Sequence, residues 1–542
     1  MFSQFEPQLD ANETKLFANI GKMNPGFGFD AVVIVCGSAE QTEFWTARIE
    51  NTVDQVTKSG AILQVVTEDW EGGAGNALGS LYAFKQAHAA VKGRDGDYSK
   101  DILNMMKTGS SVAIYHVAGK GTRLAPLSLA ECNNKPAVKL PANVDINGEK
   151  VHMTILESVI LSTAPYAKGR GGRLSVFWAD QVFVPQEFQR SGEFAADILT
   201  FSGPMPTQEQ WEAQGLSSYG LVAANADGSA CQLEKSASAA AAGAVLGAAG
   251  FSSPAKVGSS LGSFSVSHQL LDALLTEFQP ELDAKKGKMD TDPHLWMAMS
   301  LPEATYAEAL ESKFSKPDLI AHHKRMAAFK ANFVTHNGPK FFGIVDAGVK
   351  ESCYYWDFGQ LSGFFKNSMT VLEAENHGYA LRKFFGIPAT AMELDSNTGG
   401  TEVDDDSLFL TSNLTSGNVE RSLVVGCDIH NITATNSLLI NVTAKKINAN
   451  GAFLYNVFDN SEEGITVGEG EVYTTVIHAG GQPAVVKSTL ATDGGAAWHA
   501  PVCGNAKSFE QLYQDNVGQN VVGSFARYQE LQSEHGFLRS NE

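Results

Sequence analysis

The chain has 542 residues, a length that corresponds to three or four domain-sized units, or fewer where one domain is large. Its 40 Lys and Arg residues against 60 Asp and Glu residues give a net charge of −20, and 43% of its residues are hydrophobic. This hydrophobic fraction supports sizeable cores and argues against a disordered chain. The acidic balance argues against a general nucleic-acid binder, which uses Lys and Arg to displace phosphate counterions. A nucleotide remains open as a small substrate.

The cysteine, targeting and membrane signals are weak. The six cysteines form no C-x-x-C pair, which predicts reduced core thiols and no zinc site. Residues 1–16 contain no apolar run, and no stretch of eighteen apolar residues occurs. We therefore expect no membrane partner and a cytoplasmic location, or an organelle stroma after removal of a targeting piece. A homo-oligomer is left open.

The front of the chain alternates between strand-like and helix-like segments. Residues 31–36 (AVVIVC) and 62–67 predict buried strands, and residues 40–59 predict a helix between them. The glycine turn of Gly72, Gly73 and Gly75 then leads into a predicted helix at 76–89 and a third strand at 111–117. This order predicts an α/β fold with a doubly wound mixed or parallel sheet, in which ligands bind beyond the carboxyl ends of the strands.

The rear of the chain is richer in strands. Residues 236–250 consist of small side chains and fit a helix or a loop equally well. Residues 396–420 are polar and predict a linker between a first domain at 1–395 and a second at 421–542. Short apolar runs at 423–425, 438–442, 452–457 and 472–477 favour a parallel β-helix over a small sandwich, although their spacing is irregular. Residues 508–534 predict one helix or a pair.

The strongest chemical signal follows the third predicted strand, in the segment VAGKGTRLAPL at residues 117–127. Gly119 and Gly121 permit tight turns and let backbone N–H groups approach phosphate oxygens, while Lys120 and Arg123 add positive charge. Leu124 stands where a dinucleotide fingerprint has its third glycine, and the spacing of a P-loop is absent. Taken alone, the segment fits a polar turn that binds nothing equally well.

With Lys135-Pro136 behind it, this segment resembles the signature loop of the sugar-1-phosphate nucleotidyltransferases, the nucleotide-sugar pyrophosphorylases. Further motifs follow in the family's order: a strand that ends at Asp180, Tyr219-Gly220 before a strand, Glu234-Lys235 after the next strand, and Trp356-Asp357-Phe358-Gly359 ahead of Asn367. The resemblance covers roughly residues 110–386. The motifs are specific for the family when they are taken together in this order. Residues 20–100 resemble the front of fucose-1-phosphate guanylyltransferases. Gln360 departs from the pattern, since a threonine is usual there.

The resemblance implies a Rossmann-like nucleotidyltransferase domain and Mg²⁺-dependent transfer of a nucleotidyl group from a nucleoside triphosphate to a sugar 1-phosphate. UTP with glucose 1-phosphate, giving UDP-glucose and pyrophosphate, is the first expectation because the chain broadly resembles glucose-1-phosphate uridylyltransferases. Synthesis of GDP-fucose or GDP-mannose is the close alternative. Two other functional classes stay open, a non-catalytic regulatory subunit of the same fold and a nicotinamide-dependent oxidoreductase. The missing third glycine argues against the oxidoreductase.

The resemblance also assigns roles to individual residues. Asp180 and Asp357 are the expected Mg²⁺ ligands, although Asp180 would also suit a helix N-cap. The expected phosphate contacts are Arg123 for the leaving phosphates, Lys135 for the triphosphate and Lys235 for the sugar phosphate. The expected nucleotide-binding residues are Ala118, Gly119, Lys120, Gly121 and Thr122, and the expected sugar-binding residues are Tyr219, Gly220 and Glu234. Gly73 and Gly75 of the second glycine turn fit a contact with the base or ribose and a turn without a ligand equally well. Each lysine would otherwise be a solvated surface residue.

Overall fold

The computed structural model describes residues 8–95, 101–233, 236–287, 292–478 and 480–535. In the first part of the chain the helices are α1 (Ala11–Ile20), α2 (Ala39–Val56), α3 (Gly75–Asp95), α4 (Ile102–Lys107), α5 (Leu127–Ala130), α6 (Ile155–Thr163), α7 (Gln208–Ala213), α8 (Ala239–Ala248), α9 (His268–Glu277), α10 (Gln279–Ala284), α11 (Asp292–Ser300), α12 (Glu303–Leu310), α13 (Lys316–Asn337), α14 (Leu361–Met369) and α15 (Asn376–Phe384). The strands of this part are β1 (Ala31–Cys36), β2 (Ile62–Thr67), β3 (Val112–His116), β4 (Lys139–Ile146), β5 (Glu149–Thr154), β6 (Arg173–Trp178), β7 (Gln181–Val184), β8 (Ala196–Thr200), β9 (Leu221–Ala224), β10 (Ala230–Leu233), β11 (Lys256–Ser267), β12 (Phe342–Asp346) and β13 (Tyr354–Asp357).

These elements form an α/β unit around a nine-stranded mixed sheet, so the predicted class is confirmed. The sheet order is β10-β9-β11-β6-β3-β1-β2, and β8 joins it by pairing with β11 and β12. The four strands β2, β1, β3 and β6 are parallel, whereas β11 runs antiparallel to β6. All six residues of β1 are buried, which explains its uninterrupted apolar run.

The parallel register aligns the carboxyl ends of the central strands at one edge of the sheet. His116 at the end of β3 pairs with Val35 near the end of β1 and with Trp178 at the end of β6. The segments that follow β3 and β6 therefore leave the sheet side by side. A separate antiparallel pair, β7 with β13, places Asp357 opposite Gln181. This pairing brings the Asp357 motif to the segment that follows β6.

The C-terminal unit, which begins at residue 393, consists of two largely parallel sheets and two helices. Its elements are β14 (Glu393–Leu394), β15 (Gly400–Val403), β16 (Leu408–Leu410), β17 (Asn413–Glu420), β18 (Leu423–Val425), β19 (Asp428–Thr435), β20 (Leu438–Ile440), β21 (Thr443–Asn450), β22 (Phe453–Tyr455), β23 (Phe458–Asp459), β24 (Ile465–Val467), β25 (Glu471–Ile477), β26 (Pro483–Thr489), α16 (Phe509–Asn516) and α17 (Val521–His535). One sheet has the order β14-β16-β18-β20-β22-β25-β26, and the other β15-β17-β19-β21-β23, with β24 also on β21. From β14 to β23 the chain alternates between these sheets.

From β16 to β22 the strands of this unit repeat every fifteen residues. Leu408 pairs with Leu423, Leu423 with Leu438, and Leu438 with Phe453. The predicted linker at 396–420 is therefore wrong: these residues form β15, β16 and β17, which pair with the later strands. Polar residues misled the prediction because they occupy the outward positions of β17 while Leu414 and Val419 are buried. The undecided stretch 236–250 contains α8, which buries Ala242 and Leu246.

One hydrophobic core joins the two parts of the chain. Val32 of β1, Phe364 of α14, Leu438 of β20 and Phe509 of α16 belong to the same buried cluster. The rings of Phe364 and Phe453 stack at a centroid distance of 5.7 Å. The C-terminal unit is thus packed directly onto the layer that carries the sequence motifs. Within the described ranges, every helix is too short or too polar to span a membrane.

Candidate active site

Residues 119–123, here called the glycine loop, directly follow the buried strand β3. Gly119 has φ +132° and Gly121 has φ +62°, which are conformations that favour glycine. A Cβ on Gly121 would lie 2.8 Å from Lys135 Cβ, so glycine also permits the loop to approach that lysine. The short 3₁₀ turn Thr122–Leu124 follows, and it buries Leu124 while Arg123 remains exposed.

Lys135 connects the glycine loop with the segment after β6. It begins the 3₁₀ turn Lys135–Ala137, and its Nζ lies 2.8 Å from Asp180 Oδ2. Asp180 is only 5% exposed. Its second oxygen, Oδ1, is buried and has no hydrogen-bond partner among the described residues. A buried carboxylate oxygen without a partner is costly, which makes this atom a candidate ligand for a cation.

Asp357 lies next to Asp180 because β13 pairs with β7. The N–H of Phe358 donates to the Asp180 carbonyl oxygen at 2.9 Å, and the N–H of Gly359 donates to Asp357 Oδ1 at 2.7 Å. A Cβ on Gly359 would lie 2.5 Å from Asp180 Oδ2 and 3.1 Å from Asp357 Oδ1. Gly359 therefore stands beside both carboxylates. Asn367 of α14 donates to the Asp357 carbonyl oxygen at 2.7 Å and fixes the end of the strand.

The charges of this cluster act on one another. Burial raises the pKa of Asp357 above its ordinary value of 3.8, and the nearby charge of Asp180 raises it further. The cations Arg123 and Lys135 oppose this effect and lower the pKa of Asp357. Arg123 and Lys135 therefore lie close enough to Asp357 for their charges to matter. The two carboxylates repel each other unless a cation lies between them.

The carboxylate pair fits a magnesium ion by its chemistry. Two carboxylates supply hard oxygen donors, and Asp180 Oδ1 is buried and unpaired within the described ranges. Among the residues that the structure describes, His, Cys, Asp and Glu form no group of three or more that could hold a metal alone. Mg²⁺ is commonly held by one or two carboxylates, with water and substrate phosphate completing its coordination, so the pair suffices.

An aromatic group adjoins the carboxylates where the sugar was expected. Lys350 Nζ lies 5.8 Å from the centre of the Tyr219 ring and 5.5 Å from that of Tyr355. The pKa of Tyr355 is raised by burial and then by the charges of Asp357 and Asp180, which places this ring beside the pair. Tyr219 is 38% exposed. Lys350 and Tyr355 were not predicted, although the two-residue period of a strand puts Tyr355 on the Asp357 face.

The remaining predicted site residues are less closely connected. Gly220 lies between Tyr219 and β9, and its carbonyl oxygen accepts a hydrogen bond from Ser260 N–H at 2.9 Å. Glu234 and Lys235 lie outside the described residues, immediately after β10. Ala118 lies against the end of β1, 3.7 Å from where a Cβ on Gly37 would be.

The predicted nucleotide contacts Gly73 and Gly75 belong to the turn after β2. Their φ values are +77° and +76°, and a Cβ on Gly73 would lie 3.5 Å from Glu68 Oε1. Glu68 in turn accepts a hydrogen bond from the N–H of Ala74 at 2.9 Å. The turn thus lies at the same edge of the sheet as the glycine loop, and its contact with a nucleotide stays a prediction.

A scan against models of protein families finds none that matches the chain, and a search of curated proteins also finds no match.

Proposed function

We propose that this chain is a Mg²⁺-dependent nucleotidyltransferase that joins a nucleoside monophosphate group to a sugar 1-phosphate. The observation that carries the proposal is the convergence of the glycine loop, Lys135, Asp180 and Asp357 at one edge of the sheet. These residues span more than 230 positions of the sequence. The unpaired Asp180 Oδ1 supports it further, because a bound cation would compensate this buried carboxylate oxygen.

The reaction needs positioned positive charge more than it needs a base. An oxygen of the sugar phosphate attacks the α-phosphorus of the triphosphate, and the bond from that phosphorus to the bridging oxygen breaks. Pyrophosphate leaves with the electron pair. The nucleophile is already anionic, so the obstacles are the repulsion between two anions and the charge of the transition state. Mg²⁺, when bound, would supply positive charge that offsets the charge of the reacting phosphates.

The chain's own groups divide this work. Asp180 and Asp357 would hold the metal, and Lys135 would present its ammonium to the triphosphate while it stays paired with Asp180 Oδ2. Arg123 is exposed and can grip phosphate oxygens with two N–H groups. The backbone of Gly119 and Gly121 leaves room for a phosphate to approach. Tyr219 and Lys350 would border the sugar.

We further propose that the part of the chain before β14 forms a Rossmann-like nucleotidyltransferase domain and that the fifteen-residue repeat of the C-terminal unit is a parallel β-helix. The preference for UTP and glucose 1-phosphate rests on the resemblance alone. GDP-fucose and GDP-mannose synthesis remain the alternatives for the base and the sugar.

The test is a pyrophosphate-release screen of the purified chain with four nucleoside triphosphates and a panel of sugar 1-phosphates, each with and without Mg²⁺. Turnover with one combination, dependent on Mg²⁺, is the expected result. Absence of turnover in every combination would reject the catalytic proposal and favour a regulatory subunit. Turnover only with GTP would keep the reaction class and change the product.

A further inference from the structure

A turn of the C-terminal unit lies against the glycine loop. Within residues 493–496, Asp493 Oδ1 accepts hydrogen bonds from the N–H of Gly495 at 2.8 Å and of Ala496 at 3.3 Å. The Asp493 carbonyl oxygen also accepts one from the N–H of Ala497 at 2.8 Å. The turn, here called the DGG turn, is therefore held in shape by its own hydrogen bonds.

Gly494 allows the DGG turn to approach the glycine loop more closely than any other residue could. A Cβ at this position would lie 2.1 Å from the carbonyl oxygen of Thr122, far inside van der Waals contact, and 3.3 Å from Ala125 Cβ. At the neighbouring Gly495 a Cβ would lie 3.2 Å from Asp493 Oδ1, a tight contact within its own turn, but 3.6 Å from Thr122 Oγ1 and 3.9 Å from Arg123 Cγ, which are ordinary contacts with the glycine loop. Alanine at position 494 would therefore push the two segments apart.

A second set of contacts holds the other end of the same segment. Asn133 Nδ2 donates to the carbonyl oxygen of Tyr513 at 2.8 Å, and Asn516 Nδ2 donates to that of Leu129 at 2.9 Å. The Tyr513 ring also lies 5.8 Å from Lys120 Nζ, close enough for a cation–π contact. The stretch between the glycine loop and Lys135 is thus fixed by the C-terminal unit along its length.

The contact at Gly494 acts on the turn that carries Arg123. The Thr122 carbonyl oxygen accepts the hydrogen bond from Ala125 N–H, at 3.2 Å, that closes this 3₁₀ turn. Arg123 makes no hydrogen bond or ion pair with the described residues, so the backbone of the turn Thr122–Leu124 sets where its side chain begins and which way it can point. A misplaced cation loses much of its effect on a reacting phosphate.

We propose that the DGG turn is a positioning element of the active site, in which Gly494 sets the turn Thr122–Leu124 and thereby aims Arg123 at the leaving phosphates. This inference rests on the function proposed above and extends it to the C-terminal unit. Gly494 is a positioning residue, since it acts only through Arg123. The active site is then completed by residues of both parts of the chain.

The experiment compares the full-length chain with Gly494→Ala and with the matched control Gly495→Ala. Hydrogen exchange of the peptides that cover residues 119–126 is measured first, because it needs no enzymatic activity. We expect faster exchange there in Gly494→Ala, unchanged exchange in β1, and wild-type exchange in Gly495→Ala. Unchanged exchange at 119–126, or equal changes in both variants, overturns the proposal.

Turnover then tests whether the effect passes through Arg123. We expect Gly494→Ala to lower kcat by about ten- to a hundred-fold, with a smaller change in the KM of the sugar phosphate. In a chain that already carries Arg123→Ala, the further change Gly494→Ala should lower kcat by less than about two-fold, because the side chain that Gly494 positions is already absent. Additive losses overturn the assigned role. If Gly494→Ala shows the expected faster exchange but the wild type shows no turnover, the proposed function fails, whereas the positioning of the glycine loop by Gly494 stands.

Discussion

Lys135 Nζ lies 2.8 Å from Asp180 Oδ2, and Asp180 Oδ1 has no hydrogen-bond partner among the described residues. The two oxygens of one carboxylate therefore have different surroundings. One is compensated by the chain's own cation, and the other is left for a ligand. Because Lys135 also adjoins Gly121, the ion pair fixes the glycine loop against the end of β6. The arrangement links the phosphate contacts and the metal ligands in one rigid group.

Asp180→Asn should lower turnover by about a hundred-fold or more, since it removes a charge that would hold Mg²⁺. The melting temperature should change by only a few degrees, because the loss of the ion pair with Lys135 is offset by relief of the repulsion from Asp357. Steady-state kinetics and thermal unfolding check both parts. A large loss of stability with activity retained would assign Asp180 a structural role instead.

The raised pKa of Asp357 predicts a pH-dependent stability difference. The folded protein binds this proton up to a higher pH than the unfolded chain, so the free energy of unfolding falls as the pH rises from 3.8 through the folded pKa. Asp357→Asn removes this titration. Its free energy of unfolding, relative to wild type, should therefore increase across that window and then level off. Urea denaturation in the presence of a chelator measures this difference, and a value independent of pH would contradict the prediction.

Magnesium should stabilise the wild-type chain through the carboxylate pair. A ligand present at a hundred times its dissociation constant raises the free energy of unfolding by about 2.7 kcal/mol. We expect Mg²⁺ to raise the melting temperature of the wild type and a chelator to reverse the change. Asp180→Asn should lose the response. Asp30→Asn is the control, because Asp30 precedes β1 at the opposite edge of the sheet and pairs with Lys58.

A loss of the response in both variants would argue against a specific site at Asp180 and Asp357. Retention of the response in both would argue the same way. Only a loss confined to Asp180→Asn supports the assignment, and Asp357→Asn should then behave like it.

Much of the sheet was predictable because its strands are short, apolar and bounded by turns. The limits of β1 and β2 agree with the predicted 31–36 and 62–67. Local pattern does not encode the pairing of β7 with β13, which joins residues about 175 positions apart and brings Asp357 to Asp180. The motifs predicted that Asp180 and Asp357 lie at the ends of strands. The distance between the two aspartates depends on the pairing of β7 with β13, which the motifs do not specify.

The C-terminal unit was harder to predict for a different reason. Its buried triplets, such as Leu408–Leu410 and Leu423–Val425, are only three residues long and are separated by polar strands. Apolar residues therefore mark the fifteen-residue period only weakly in the sequence. The period also ends after β22, where Phe453 pairs with Val472 nineteen positions later. The contact of Gly494 with the glycine loop is likewise non-local, and the sequence contains no sign of it.

Gly121 should tolerate substitution poorly. Gly121→Ala meets two penalties, a left-handed backbone costing about 1–2 kcal/mol and a Cβ 2.8 Å from Lys135 Cβ. Gly215 is a matched control, since it has φ 61° and ψ 33°, close to the 62° and 30° of Gly121, and a Cβ there meets nothing within 4 Å. We expect Gly121→Ala to lose more stability in urea unfolding than Gly215→Ala. Equal losses of stability in the two variants would mean that the Lys135 side chain moves away from the new Cβ without lowering the free energy of unfolding.

Glu131 should hold the two parts of the chain together. Its side chain is fully buried, and Oε1 accepts from Lys139 Nζ at 2.6 Å, from Asn456 Nδ2 at 3.0 Å and from the Tyr455 hydroxyl. Glu131→Gln leaves the largely buried Lys139 side chain, 14% exposed, among aromatic rings without its counter-charge, which should cost about 3–5 kcal/mol in the free energy of unfolding.

The exposed pair of Lys445 and Glu462 provides the comparison, and Glu462→Gln should leave the melting temperature unchanged. Adding Lys139→Met to Glu131→Gln should recover part of the lost stability, because it removes the unpaired charge as well. Urea denaturation of the four proteins measures these differences. If Glu131→Gln costs no more than Glu462→Gln, the contacts of Glu131 do not hold the two parts of the chain together.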